Sequence, residues 1–357
     1  MKTLLDLGFT ADERSLLLRG IHEGKYNLLL GAGASYGCVG GDGAELKDGA
    51  TLSGQINDDF DLGLNPDEAK KLPLTYEEAI GAHKSTFRSW LRKRFTGCQP
   101  SWQSQIFQIH WERIWTFNID DVLENAYDAG RDSNLVGEFL PFDWQDKVTP
   151  LESTPAAIQA IYLHGRASQL GNPSKHLIFS IPEYAAATRS FPGWHASFQT
   201  TYLEKPFIVC GASLVEEVDL AEAIRSKNQS SANGFPSILV SFSLDEGQKK
   251  RVRRYNLIPV VSPLNEFFTI LTSEMVEYRK TADAVAARLK TGTYERFLAE
   301  FRRLEGVNTS SLVIKGTDFY GGDEPTWLDI LNDRDVLFGS TGKAARMLDH
   351  SSARYAV

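Results

Sequence analysis

Short runs of consecutive apolar residues, each closed by glycine or polar residues, set the rhythm of this chain. Tyr26-Asn27-Leu28-Leu29-Leu30 runs into Gly31-Ala32-Gly33-Ala34-Ser35, and Arg113–Phe117, Ala160–Leu163, Lys205–Cys210, Ser237–Phe242 and Leu257–Val261 repeat the pattern. A run without polar alternation suits a strand buried on both faces, as in a parallel sheet covered by helices. His176–Ser180 predicts a further strand or edge hairpin.

Helical patterns fill the intervals. Residues 12–24 place Leu16, Leu17, Leu18 and Ile21 in an apolar cluster before Gly24. The stretch 51–112 reads as helical, with Trp90, Phe95, Phe107 and Ile109 as core candidates; 122–129, 182–204 and 263–304 follow. Phe297 and Phe301 stand four apart and share a helix face. The Gly- and Asp-rich segment 37–50 predicts a mobile loop. Alternating strands and helices specify an α/β, Rossmann-like fold. The expected sheet is mostly parallel, with about six strands, helices on both faces and a helical insertion (about 51–112) after the first strand. Residues 1–305 form the expected domain and 306–357 a glycine-rich linker.

Composition narrows the function classes. A formal charge of −8 disfavours a dedicated nucleic-acid binder. The basic cluster at 249–254 then reads as a solvated helix face. No apolar run reaches the roughly 18 residues of a membrane span. The N-terminus turns acidic at Asp6, unlike a signal peptide. Cys38, Cys98 and Cys210 are too scattered for a disulfide framework or a zinc site. A cytoplasmic, reducing compartment is the expectation.

Four polar motifs follow predicted strands, where open α/β sheets bind ligands. Gly31-Ala32-Gly33-Ala34-Ser35 offers a close backbone approach to a diphosphate, or merely a tight turn; Tyr36 departs from the strict dinucleotide fingerprint. Thr116-Phe117-Asn118-Ile119-Asp120 presents an amide and a carboxylate able to grip a carboxamide, or to cap the following helix. His164-Gly165 offers a general base near neutrality, or a structural histidine. The other six histidines, His176 among them, read as structural. Gly211-Ala212-Ser213, with Asp219 beyond, reads as a second phosphate-contacting turn or an ordinary loop.

Taken in order over residues 25–265, these motifs resemble the series of the sirtuin-like NAD-binding fold. The resemblance implies that NAD is the substrate, with Gly31, Ala32, Gly33 and Ser35 at the diphosphate. It implies Thr116, Asn118 and Asp120 near the nicotinamide and its ribose, and His164 as the base. Gly211 and Ser213 would meet phosphate or ribose, and Ser241 the adenosine side. Protein-deacylating sirtuins carry a zinc ribbon with paired cysteines and a glutamine where this chain has Phe117. The chain instead resembles the sirtuin-like effector domains of bacterial antiphage proteins, which hydrolyse NAD and need no metal in this domain.

The segment Asp318–Ile330 resembles the lead into the nucleotide-binding domain of AVAST-type STAND NTPases. No P-loop follows; Gly339-Ser340-Thr341-Gly342-Lys343 has the wrong spacing. The expectation is therefore the N-terminal part of a longer protein. The resemblance implies a homo-oligomer, with a phage-protein trigger sensed elsewhere. Rival readings are an NAD-dependent deacylase, a non-catalytic NAD or ADP-ribose sensor, and an oligomerisation module built on the 263–304 helices.

Overall fold

The computed structural model describes residues 2–131, 138–151, 157–212 and 234–281. Seven strands form one sheet: β1 (Asn27–Leu30), β2 (Ile114–Thr116), β3 (Glu138–Asp143), β4 (Ala157–Tyr162), β5 (Phe207–Cys210), β6 (Ser237–Ser241) and β7 (Leu257–Val261). The order is β3-β4-β2-β1-β5-β6-β7, and every pairing is parallel.

Each apolar run divides between two cores, because successive strand side chains point to opposite faces. Leu28, Leu30, Ile208, Cys210, Ile238 and Val240 enter one core. Leu29, Trp115, Ile161, Val209 and Leu239 enter the other. Helix α1 (Ala11–His22), α4 (Val122–Ala129) and a helix over 264–281 cover the first face. They contribute Leu17, Leu123 and Phe267, among others. Helix α6 (Pro192–Glu204) and α7 (Glu246–Arg254) cover the second through Trp194, Phe198 and Val252. A third core belongs to the insertion. Helix α2 (Gly49–Asp59) and α3 (Leu72–Phe95), which kinks at His83, bury Ile56, Tyr76, Phe87 and Leu91 there. A short 3-10 helix, Gln103–Gln108, leads back towards β2.

The sheet bears out the expected mostly parallel α/β architecture of about six strands: it has seven, β3 pairing with β4 at the edge. One expectation is corrected. Residues 176–180 form no strand: they are irregular up to Ser180, which caps α5 (Ile181–Ser190). The segment 37–50 is a loop as far as Asp48, where α2 begins, and it is tied down. Buried Arg94 pairs with Asp42 at 2.9 Å and donates to the Glu45 carbonyl and the Gln55 side chain. The boundary near 305, Phe297, Phe301 and the 318–330 segment lie outside the described residues. Among the described residues, no helix is long and apolar enough to cross a membrane.

Candidate active site

Parallel strands deliver their following loops to one edge of the sheet. The motif-bearing ends belong to β4, β2, β1, β5 and β6, five neighbours in space. The chain order reverses between β1 and β5: β2 lies on one side of β1, while β5 and β6 extend on the other. Such a switch point leaves a crevice beyond the strand ends. The turns after β1 and β5 stand there.

At this edge three side chains form a relay. Asn118 Nδ2 donates to Ser35 Oγ at 2.9 Å, and Ser35 Oγ donates to Asp120 Oδ1 at 3.0 Å. The Asn118 backbone amide donates to Thr116 Oγ1 at 3.0 Å, which fixes the turn leaving β2. Asp120 Oδ1 also accepts from the Val122 amide at 3.1 Å, at the start of α4. Asp120 is buried, and burial raises its pKa to about 6, opposed by the Ser35 and Val122 hydrogen bonds. Asn118 Oδ1 is buried with no hydrogen-bond partner among the described residues. Buried polar oxygens are nearly always paired. The relay thus fixes the amide with its acceptor unpaired among the described residues.

The glycine turns have a different geometry from an open cradle. Gly31 N–H donates to Cys210 O at 3.0 Å and Gly33 N–H to Gly211 O at 2.9 Å. A Cβ on Gly31 would meet Ala212 Cα at 2.5 Å, and one on Gly33 would meet Gly211 Cα at 2.9 Å. These glycines let the turns after β1 and β5 pack backbone to backbone. Ala32 and Gly33 stay exposed on the surface that this contact presents. Ser35 lies beneath them, buried in the relay. Ser241 closes the row at β6, its hydroxyl donating to Ser243 O at 3.1 Å. Ser213 and Asp219 lie outside the described residues.

His164 is half-buried after β4, its ring 5.0 Å from that of Phe117. Its carbonyl accepts from the Ile178 amide at 3.1 Å. Gly165 follows with φ +82, and a Cβ there would come within 2.8 Å of His176 O. The structure thus brings His164 beside the β2 loop that carries Asn118. Thr116 is fully buried behind that loop.

Three supporting residues escape sequence reasoning. Asp121 accepts from the Gly97 and Cys98 amides at 2.6 and 2.9 Å, tying the insertion to the β2 loop. Gln103 is buried and donates to Ala34 O at 2.8 Å, bracing the turn after β1. Arg166, two residues after His164, pairs with Asp143 at 2.9 Å and Glu124 at 3.4 Å. Only Arg166 had a sequence signal, its closeness to His164-Gly165.

Residues 112–259 match the family described as the SIR2-like domain. The search of curated proteins gives no match. Solved structures to which this chain is similar include one described as the structural basis for the mechanism and regulation of Sir2 enzymes (11% identity, 76% of this chain and 100% of that one, TM-score 0.41). Another is a Sir2 homologue variant with ADP-ribose (14%, 76% and 98%, TM-score 0.41). A third is a Sir2 homolog–NAD complex (14%, 74% and 94%, TM-score 0.38).

Proposed function

We propose that this chain binds NAD across the strand ends at the β1/β5 switch point and hydrolyses its nicotinamide–ribose bond. The observation that carries the reading is the buried, unpartnered Asn118 Oδ1, held in place by Ser35 and Asp120. The match of residues 112–259 to the SIR2-like domain supports the NAD chemistry.

Cleaving this bond develops positive charge at the ribose carbon, as in other glycosidic cleavages. Asn118 Oδ1 accepts a hydrogen bond from the attacking water or the nicotinamide amide. Asp120 acts through Ser35 as a positioning residue, because both side chains are buried behind Asn118. His164 takes the proton that water gives up as its oxygen bonds to the ribose carbon. The bond electrons leave with nicotinamide, so the products are nicotinamide, ADP-ribose and one proton. General-base action of this kind contributes about 10²–10⁴-fold. The exposed turn at Ala32 and Gly33 faces the diphosphate, with Gly211 on its far side and Ser241 towards the adenosine.

In the cell, we read this activity as the effector arm of antiphage defence through NAD depletion. The ordered motif series and the Asp318–Ile330 segment support that reading. It entails a cytoplasmic homo-oligomer that responds to a phage protein sensed elsewhere. The rival deacylase is separated by its product. With NAD and an acetylated peptide, this chain yields ADP-ribose and leaves the peptide acetylated; O-acetyl-ADP-ribose would overturn the hydrolase reading.

A further inference from the structure

A cleft of about 350 Å³ lies apart from the strand-end crevice, between α3 and α5. Tyr76, Ile80, Lys84 and Arg88 line it from α3 at four-residue intervals. Glu183, Ala187 and Ser190 of α5 face them, and Trp144 and Phe191 make an aromatic corner. The two rings meet edge to face at 5.6 Å. Phe191 is 45% exposed.

The charges are asymmetric. Among the described residues, neither Lys84 nor Arg88 meets a carboxylate within salt-bridge distance. Arg88 donates instead to the carbonyls of Leu170, Asn172 and Lys175 at 2.8 to 3.1 Å, which leaves its charge without a counterion. Glu183 is the acidic residue of the lining, and its carboxylate is committed to the Phe179 and Ser180 amides. His176 at the base is held below its ordinary pKa by burial and by Arg88 and Lys84, so the positive charge of the cleft comes from those two side chains. An apolar floor with a few converging polar groups is the usual make-up of a small-molecule site, and this volume is in the usual range.

We propose that this cleft is a regulatory site for a heteroaromatic anion of mononucleotide size. Its ring would rest against Phe191 and Trp144, and its anionic group would meet Lys84 and Arg88. Stacking on aromatics and pairing with cations both favour such a ligand. The cleft is wired to the strand-end site. Trp144 Nε1 donates to His176 O at 3.1 Å, that carbonyl lies against Gly165, and the Ile178 amide holds His164 O at 3.1 Å. A ligand seated on Trp144, His176 and Ile178 therefore presses on the backbone that sets the His164 loop.

The test is calorimetric titration of the full chain with uridine monophosphate, with ADP-ribose at saturation and uridine as the uncharged control. One nucleotide binds per chain, and uridine binds at least about tenfold more weakly, because it lacks the charge that Lys84 and Arg88 meet. Lys84→Glu and Phe191→Ala, both at exposed positions, each weaken the nucleotide about tenfold without lowering the melting temperature. No binding at millimolar nucleotide, equal binding of uridine, or unchanged affinity in either variant overturns the proposal. Binding is read without NAD turnover, so its failure is distinct from failure of the hydrolase reading.

Discussion

Gly33 donates its backbone amide to the carbonyl of Gly211 at 2.9 Å, so the turns closing β1 and β5 touch backbone to backbone. A Cβ on Gly211 would lie 2.5 Å from the Ala34 amide, and its φ of +65 already disfavours any other residue. Gly211→Ala should therefore destabilise the protein by about 3 kcal/mol, adding a backbone clash to the left-handed penalty. Gly43 is the control: its φ is +84 but open space surrounds it. Gly43→Ala should cost about 1 kcal/mol. Urea denaturation of both variants checks the difference, and equal losses would show that the two turns are not tightly packed.

Asp120 makes stability depend on pH. Its folded pKa, about 6, stands above the ordinary 3.8 because the side chain is buried. The neutral acid is thus favoured by folding. That contribution is complete below about pH 4 and is lost as the pH rises through 6. A shift of this size corresponds to about 3 kcal/mol. Asp120→Asn cannot ionise, so its stability relative to wild type should rise by about that amount between pH 4 and pH 8. Parallel stability curves for the two proteins would place an ionised carboxylate in a better-solvated position than the structure gives it.

Arg94 holds the glycine-rich loop. Its guanidinium joins Asp42, the Glu45 carbonyl and Gln55, and it is itself buried. Arg94→Leu removes these bonds while keeping an apolar stem. Hydrogen exchange of the Gly40 amide, which is bonded to Ala44 O, should accelerate by about tenfold or more. Unchanged protection would mean that the bridges of Val39 to Glu45 and Gln99 hold the loop alone.

Six of the seven strands were legible because each is a run buried on both faces. Helix α4 was legible to its ends, since Asn118, Asp120 and Asp121 stop the preceding strand and Gly130 ends the helix. Strand β3 escaped notice because Pro141 interrupts its apolar run and it sits at the sheet edge, half-exposed along most of its length. Residues 176–180 misled in the opposite sense. Leu177 and Ile178 are buried as a strand would be, but against the insertion core and Trp144 rather than in the sheet. At the site, the order of the motifs was legible. The inward turn of Ser35 was not, because its partners Asn118 and Asp120 lie 83 and 85 residues away. Gln103 and Asp121 were hidden for the same reason: each braces a backbone that is remote or unmarked in sequence.

The relay itself predicts a graded loss. Ser35→Ala leaves the Asn118 amide unanchored and removes one donor from Asp120. It should cost about 1–3 kcal/mol in stability and lower NAD turnover, while Ser35→Thr, which keeps the hydroxyl, should retain more of both. Equal turnover by Ser35→Ala and wild type would separate the relay from catalysis.

The most direct measurement is chromatographic assay of nicotinamide and ADP-ribose from NAD, with wild type, Asn118→Ala and His164→Ala compared at micromolar protein. Equimolar products from wild type, and none from either variant while both stay folded, is the predicted result. No nicotinamide from wild type, or full release by Asn118→Ala, would contradict the hydrolytic role assigned to this site.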